Sequence, residues 1–199
     1  MNFLAHLYLS EPCEESQLGN FLTDFIHKPE ESNFSPAIQN GIRLHRKIDK
    51  FTDHHPIVQK TKQQVLEKNR RFAGIITDIL FDHFLSRSWS GYSHEPLETF
   101  VENFYQLLEN KVSLLPPRLK RVLPILRNEN WLLSYGTLQG VEQTLTRLSE
   151  KRLKGRIAVA EEMDNLHQQY ADFESDFQAF FPQLNAYVES LRNPQQMQA

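Results

Sequence analysis

The chain has one cysteine, Cys13, so no internal disulfide can brace it. Set between Pro12 and Glu14 with no evident base, Cys13 is also a poor nucleophile. Positive charge is in short supply: 22 Lys and Arg stand against 25 Asp and Glu, a formal net charge of −3. That balance argues against a nucleic-acid binder working by neutralising many phosphates, because such domains carry a basic excess. No apolar stretch approaches the roughly 18 residues that a membrane span requires. The opening Met1-Asn2-Phe3-Leu4-Ala5-His6 has no basic segment before its short apolar run. A cytoplasmic protein without membrane or nucleic-acid partners is therefore expected. Several catalytic signatures are absent as well: Gly-x-Ser-x-Gly, Gly-x-x-x-x-Gly-Lys, Gly-x-Gly-x-x-Gly and His-Glu-x-x-His.

What is present is helical periodicity and a wealth of phenylalanine, 14 residues in all. Leu97, Phe100, Val101, Phe104, Leu107 and Leu108 line one face of a helix introduced by Pro96. Similar patterns cover 36–51, 57–68, 72–88, 118–127, 141–153 and 157–180, with a final helix expected after Pro182. Loops fall where proline, serine and glycine gather, at 28–35, 90–95, 113–117 and 136–140. Almost nothing alternates as a strand does. The expectation is an all-α, single-domain irregular bundle of roughly seven to nine helices over 1–192, followed by a flexible polar tail, 193–199.

Two of these helices carry polar residues where an ordinary core helix would not. His45 and Asp49 are four apart, and so are Asp78 and Asp82, so each pair shares a helical face. The second pair lies in a stretch apolar nearly all round, Ile75-Ile76-Thr77-Asp78-Ile79-Leu80-Phe81-Asp82-His83-Phe84-Leu85. Buried carboxylates are costly unless paired, hydrogen-bonded or bound to a metal. Structural salt bridges with arginine, or exposure of one carboxylate, are the competing account. Asp24 and His6 sit among apolar neighbours in the same way, and such placements gather in the first 85 residues. Carboxylates with imidazoles and without thiolates suit magnesium, manganese or iron better than structural zinc.

In order along the chain, Asn2-Phe3-Leu4-Ala5-His6-Leu7, Gly19-Asn20 with Asp24-Phe25, Gly41-Ile42 with His45-Arg46 and Ile48-Asp49, Asp78, Asp82-His83-Phe84-Leu85-Ser86 and Trp89 resemble the acyl carrier protein phosphodiesterases. The resemblance covers about the first 90 residues. It implies an HD-domain-like fold and removal of 4'-phosphopantetheine from the serine of holo-acyl carrier protein, with manganese the usual metal and magnesium or iron possible. Carried over, it makes Asp24, His45, Asp78 and Asp82 metal ligands, with His6 and His83 next. The adjacent pair at 82 and 83 is Asp-His, the reverse of the usual HD order.

On that expectation Arg46 would neutralise phosphate charge, and Asp49 or His83 would move the proton. An acidic carrier calls for a basic docking surface, for which Arg70 and Arg71, the group Arg118, Lys120 and Arg121, and the run from Lys151 to Arg156 are candidates. Two other readings stay open at this point: an HD-like phosphohydrolase acting on a nucleotide or small phosphoester, and a helical scaffold whose polar residues are structural.

Overall fold

The computed structural model describes residues 1–192, apart from the side chain of Arg152. The expected tail at 193–199 lies outside the described residues. All regular structure among the described residues is helical: α1 (Phe3–Tyr8), α2 (Glu14–Leu22), α3 (Pro36–His54), α4 (Pro56–Gln64), α5 (Ala73–Arg87), α6 (Leu97–Asn110), α7 (Pro117–Asn128), α8 (Trp131–Ser134), α9 (Leu138–Leu153), α10 (Val159–Gln168) and α11 (Tyr170–Arg192), with short 3-10 turns between some of them. The all-α expectation holds, with more and shorter pieces than periodicity alone implies. None of these helices is long and apolar enough to cross a membrane.

Local chemistry accounts for several boundaries. Ser35 caps α3, accepting from the Ile38 amide at 3.4 Å, and Pro36 follows with its φ already suited to a helix. Thr137 caps α9 through the Gly140 amide at 3.1 Å. One boundary differs from the expectation. The helix expected over 157–180 breaks between α10 and α11, and Pro182 lies inside α11 rather than ahead of a separate helix. An internal proline costs about 3 kcal/mol. Phe173, Phe177, Phe180, Phe181 and Leu184 are all fully buried along α11. At roughly 1.5–3 kcal/mol for each buried side chain, that burial outweighs the proline.

The core is organised around α5, which packs against α1, α4, α9 and α11. Phe81 and Phe84 on α5 meet Phe177 and Phe180 on α11 at ring-centroid distances of 5.5–6.0 Å. The closest helix pair is α2 with α3. A Cβ on Gly19 would lie 2.0 Å from the Ile38 carbonyl oxygen, and one on Gly41 would lie 2.5 Å from that of Ser16. Only glycine permits this approach, which brings the next residue of α2, Asn20, against the next turn of α3, where His45 stands.

Candidate metal centre

The first turns of the chain are anchored from α5. Asn2, at the cap position of α1, offers no side-chain cap. Asp82 supplies the missing acceptor, taking the amides of Asn2 at 3.2 Å, Leu4 at 2.7 Å and Ala5 at 3.3 Å. Asp82 is completely buried, which pushes its carboxyl up to about 7 against the pull of the N-terminal ammonium and the Leu4 and Ala5 amides. One turn earlier, Asp78 meets the Met1 ammonium at 2.8 Å. Burial disfavours that ammonium's charge, but Asp78, Asp49 and Asp82 together hold its pKa above the ordinary value.

Anchored in this way, α1 delivers His6 to α3. The rings of His6 and His45 stack with centroids 3.9 Å apart and planes 14° from parallel. Both Nε2 atoms face the same carboxylate: His6 lies 3.1 Å from Asp49 Oδ1 and His45 lies 3.1 Å from Asp49 Oδ2. The ligand atoms of His6, His45 and Asp49 all fall within 4.8 Å of one another, a grouping that could hold a metal ion.

Asn20 decides what those nitrogens can do. His45 Nδ1 lies 2.8 Å from the Asn20 backbone carbonyl, which can only accept, so His45 carries its proton on Nδ1. The Asn20 amide nitrogen donates to the His6 carbonyl at 2.8 Å and to Ser10 Oγ at 3.1 Å. Its Oδ1 is thereby oriented to accept from His6 Nδ1 at 2.9 Å. Both neutral rings then turn a bare Nε2 lone pair toward a carboxylate, which is repulsive unless the rings are protonated or a cation lies between. Burial, followed by the neighbouring His45, lowers the His6 pKa to about 4, so protonation of His6 is disfavoured near neutrality. Burial also opposes ionisation of Asp49, yet hydrogen bonds from His45 and His6 hold it well below the usual carboxylate range. Those hydrogen bonds need charged rings, so the two tendencies conflict. A divalent cation satisfies both, accepting two imidazole lone pairs and a carboxylate oxygen.

The centre opens into a cleft of about 180 Å³ bordered by His45 and by four carboxylates, Asp24, Asp49, Asp53 and Asp78. Thr52 lines it too, and its buried Oγ1 has no hydrogen-bond partner among the described residues. The Met1 ammonium, paired with Asp78, lines the cleft as well, and Asp53 pairs with Lys62, so the carboxylate excess that opposes a phosphate is smaller than four charges and is offset further by a bound cation.

Comparison with known proteins decides the family. The profile described as acyl carrier protein phosphodiesterase matches residues 1–184. The chain is 34% identical over 185 residues to the acyl carrier protein phosphodiesterase of Pectobacterium atrosepticum, covering 92% of this chain and 95% of that one. For the protein of that name in Escherichia coli O157:H7 the figures are 35% over 187 residues, 94% and 96%. For that in Photorhabdus laumondii they are 32% over 194 residues, 96% and 96%. The chain belongs to the acyl carrier protein phosphodiesterase family. No solved structure matches it.

Within this phosphodiesterase, a family of hydrolases by name, the remaining residues singled out in the sequence lie as follows. Asp24 is exposed in the turn after α2 and borders the cleft. Arg46 is exposed and forks onto Glu31, with Nη1 at 2.9 Å from Oε2 and a second contact between Nη2 and Oε1. His83 is buried with both nitrogens engaged, Nδ1 by the Tyr135 carbonyl at 2.7 Å and Nε2 by the Tyr170 hydroxyl at 2.9 Å. Burial lowers its pKa, and it does not border the cleft. Arg70 pairs with Glu67 at 3.2 Å, and Arg71 lies 5.6 Å over the Phe72 ring. Arg118, Lys120 and Arg121 are exposed on α7. Asn20 was not assigned a role from the sequence. Its signal was an amide in the apolar run Leu18-Gly19-Asn20-Phe21-Leu22, where a buried polar group demands partners.

Proposed function

We propose that this phosphodiesterase hydrolyses the ester between 4'-phosphopantetheine and the serine of holo-acyl carrier protein, using a divalent metal, manganese first, held by His6, His45 and Asp49. The observation that carries the reading is the pair of imidazole Nε2 atoms, tautomers pinned by Asn20, facing one carboxylate. Asp24 and Asp78, on the same cleft, are the candidates for further ligands. A donor set gathered from separate helices is what an HD-like centre would use.

When bound, the ion supplies Lewis acidity, drawing charge from a nonbridging phosphate oxygen and making water a better nucleophile. Hydrolysis adds water to phosphorus and breaks the bond to the serine oxygen, which leaves with a proton. Asn20 keeps both rings in the tautomer that binds cations. The carboxylate excess that remains beside the Met1 ammonium biases the cleft toward a cation first and a phosphate only afterwards. Arg118, Lys120 and Arg121 on α7 are the proposed docking surface for the acidic carrier, with Arg70 and Arg71 a second candidate.

The test is intact-mass analysis of holo-acyl carrier protein incubated with the protein and manganese, with a chelator control. Metal-dependent loss of the phosphopantetheine mass is the expected result. No loss with any divalent metal sinks the reading, and a screen of nucleotides and small phosphoesters then takes its place.

A further inference from the structure

A second concavity, of about 390 Å³, adjoins the acidic cleft, and Asn2 and Ile75 line both. Its character is opposite. Two helices present apolar pairs to it at helical spacing, Ile75 and Ile79 from α5 and Val122 and Ile125 from α7, and α9 adds Leu148. Ile75 and Ile125 are 36% and 38% exposed, two of the four large hydrophobic residues the described surface leaves open. Isolated exposed side chains are ordinary, but a concave group of them in the lower part of the ligand-pocket size range is a binding feature. The polar lining is Asn2, Tyr135, Thr144 and three cations, Arg118, Arg147 and Lys151. Thr144 Oγ1 is buried on the wall with no hydrogen-bond partner among the described residues, and the Tyr135 hydroxyl, held at 2.9 Å by Asn2 Nδ2, lines the same wall. Trp131 lines the groove too, with the Arg147 guanidinium 4.3 Å over its ring.

We propose that this groove receives the pantetheine arm of the substrate, a neutral chain of methylenes, a gem-dimethyl carbon and amides, while the phosphate at its root sits in the acidic cleft. The assignment rests on the phosphodiesterase reading above. Continuity supports it: the arm leaves the phosphate directly, and the groove leaves the cleft directly, past Ile75. Chemistry supports it too, since the apolar side chains match the hydrocarbon of the arm and the unpaired Thr144 hydroxyl offers a partner to an amide. Arg118, which lines the groove, belongs to the proposed carrier-docking helix, so carrier, arm and phosphate would meet three adjoining surfaces.

Two measurements test it. The first compares holo-carrier protein with bis(p-nitrophenyl) phosphate, a diester without the arm, in Val122→Phe, which fills the groove, and in Thr144→Val. The expected result is a KM for holo-carrier raised about tenfold in Val122→Phe and severalfold in Thr144→Val, equivalent to roughly 1.4 kcal/mol at tenfold, with hydrolysis of the small diester unchanged within about twofold. Equal turnover of both substrates by the native protein and both variants overturns the assignment. The second is titration of the native protein with pantetheine, which has no phosphate, followed by tryptophan fluorescence. A response lost in Trp131→Phe is expected, and its absence also overturns the groove. Native protein that leaves holo-carrier intact yet answers pantetheine through Trp131 refutes the phosphodiesterase reading while upholding the groove.

Discussion

Gly19 and Gly41 face each other where α2 crosses α3, so closely that a Cβ on Gly41 would fall 3.0 Å from the Gly19 Cα. The same added atom would lie 2.5 Å from the Ser16 carbonyl oxygen and 2.9 Å from the Asn20 amide nitrogen. These are backbone atoms, so Gly41→Ala must push the helices apart. Overpacking of this kind costs about 1–3 kcal/mol, more than the 0.5–1 kcal/mol that alanine returns as a better helix former. The larger effect is expected at the centre, because Asn20 retreats from His45. Gly41→Ala should melt several degrees lower and bind manganese more weakly. Native melting and native affinity together would mean that the close crossing does not set the metal site.

Asn20→Leu tests the tautomer argument directly. It keeps the branched shape, with some added bulk, and removes every side-chain hydrogen bond that Asn20 makes to His6 and Ser10. Partners behind metal-bound histidines are typically worth 10–100-fold in affinity. The variant is expected to lose manganese affinity on that scale, as measured by metal titration of chelator-treated protein whose circular dichroism remains helical. The backbone carbonyl that holds His45 survives the change, so undiminished affinity would show that the Asn20 side chain does not orient His6.

The difference between what sequence and structure reveal here is one of partners. That His45 and Asp49 share a face follows from a spacing of four, and that the early polar residues converge follows from their setting among apolar neighbours. Which of them meet depends on where α1 lies, and α1 is held through Asp82 and backbone amides, a contact 77–80 residues distant in sequence that leaves no periodic trace. Asp82 reads equally well as ligand or anchor from its surroundings, since both roles explain a buried carboxylate. Arg46 and Asp49 are three apart on α3 and so neighbours on its surface, yet the first pairs with Glu31 and the second with the histidines, a choice set by which elements lie beside the helix and not by spacing. The fold was more legible, because its long amphipathic stretches carry their own signal. Pro182 misled the boundary of α11, where burial of phenylalanine overrides a local helix breaker.

Asp82→Ala separates anchor from ligand. It strands the amides of Asn2, Leu4 and Ala5, and each buried polar group left unsatisfied costs about 1–3 kcal/mol. The expectation is a lower melting temperature even in metal-free protein. A ligand-only role for Asp82 predicts instead that the metal-free protein melts normally and only the metal-induced gain disappears.

The metal-free protein should also lose stability in acid through His6. Its folded pKa of about 4 lies below the ordinary 6.5. Between those values the unfolded chain binds a proton that the folded ring refuses, so stability rises with pH across this window and falls as pH drops from 6.5 toward 4. The full contribution is on the order of 3 kcal/mol. Denaturant unfolding at a series of pH values should show a slope that shrinks by up to about one proton in His6→Gln. Identical slopes in both proteins would place the acid sensitivity elsewhere.

Docking of the carrier is expected to be electrostatic and therefore sensitive to salt. Arg118, Lys120 and Arg121 are exposed on α7, and Lys120 donates to the Ser113 carbonyl at 3.3 Å, so reversing their charge should not unfold the helix. Substituting Lys120→Glu and Arg121→Glu together should raise the KM for holo-carrier protein severalfold at low ionic strength. The difference should narrow near physiological salt, where the screening length is about 8 Å. Turnover of bis(p-nitrophenyl) phosphate, which has no carrier to dock, should not change. The same pair of measurements on Arg70→Glu with Arg71→Glu ranks the two surfaces: the one whose KM effect is larger and fades with salt is the one that meets the acidic carrier, and a pair with no effect at low salt is excluded from the contact.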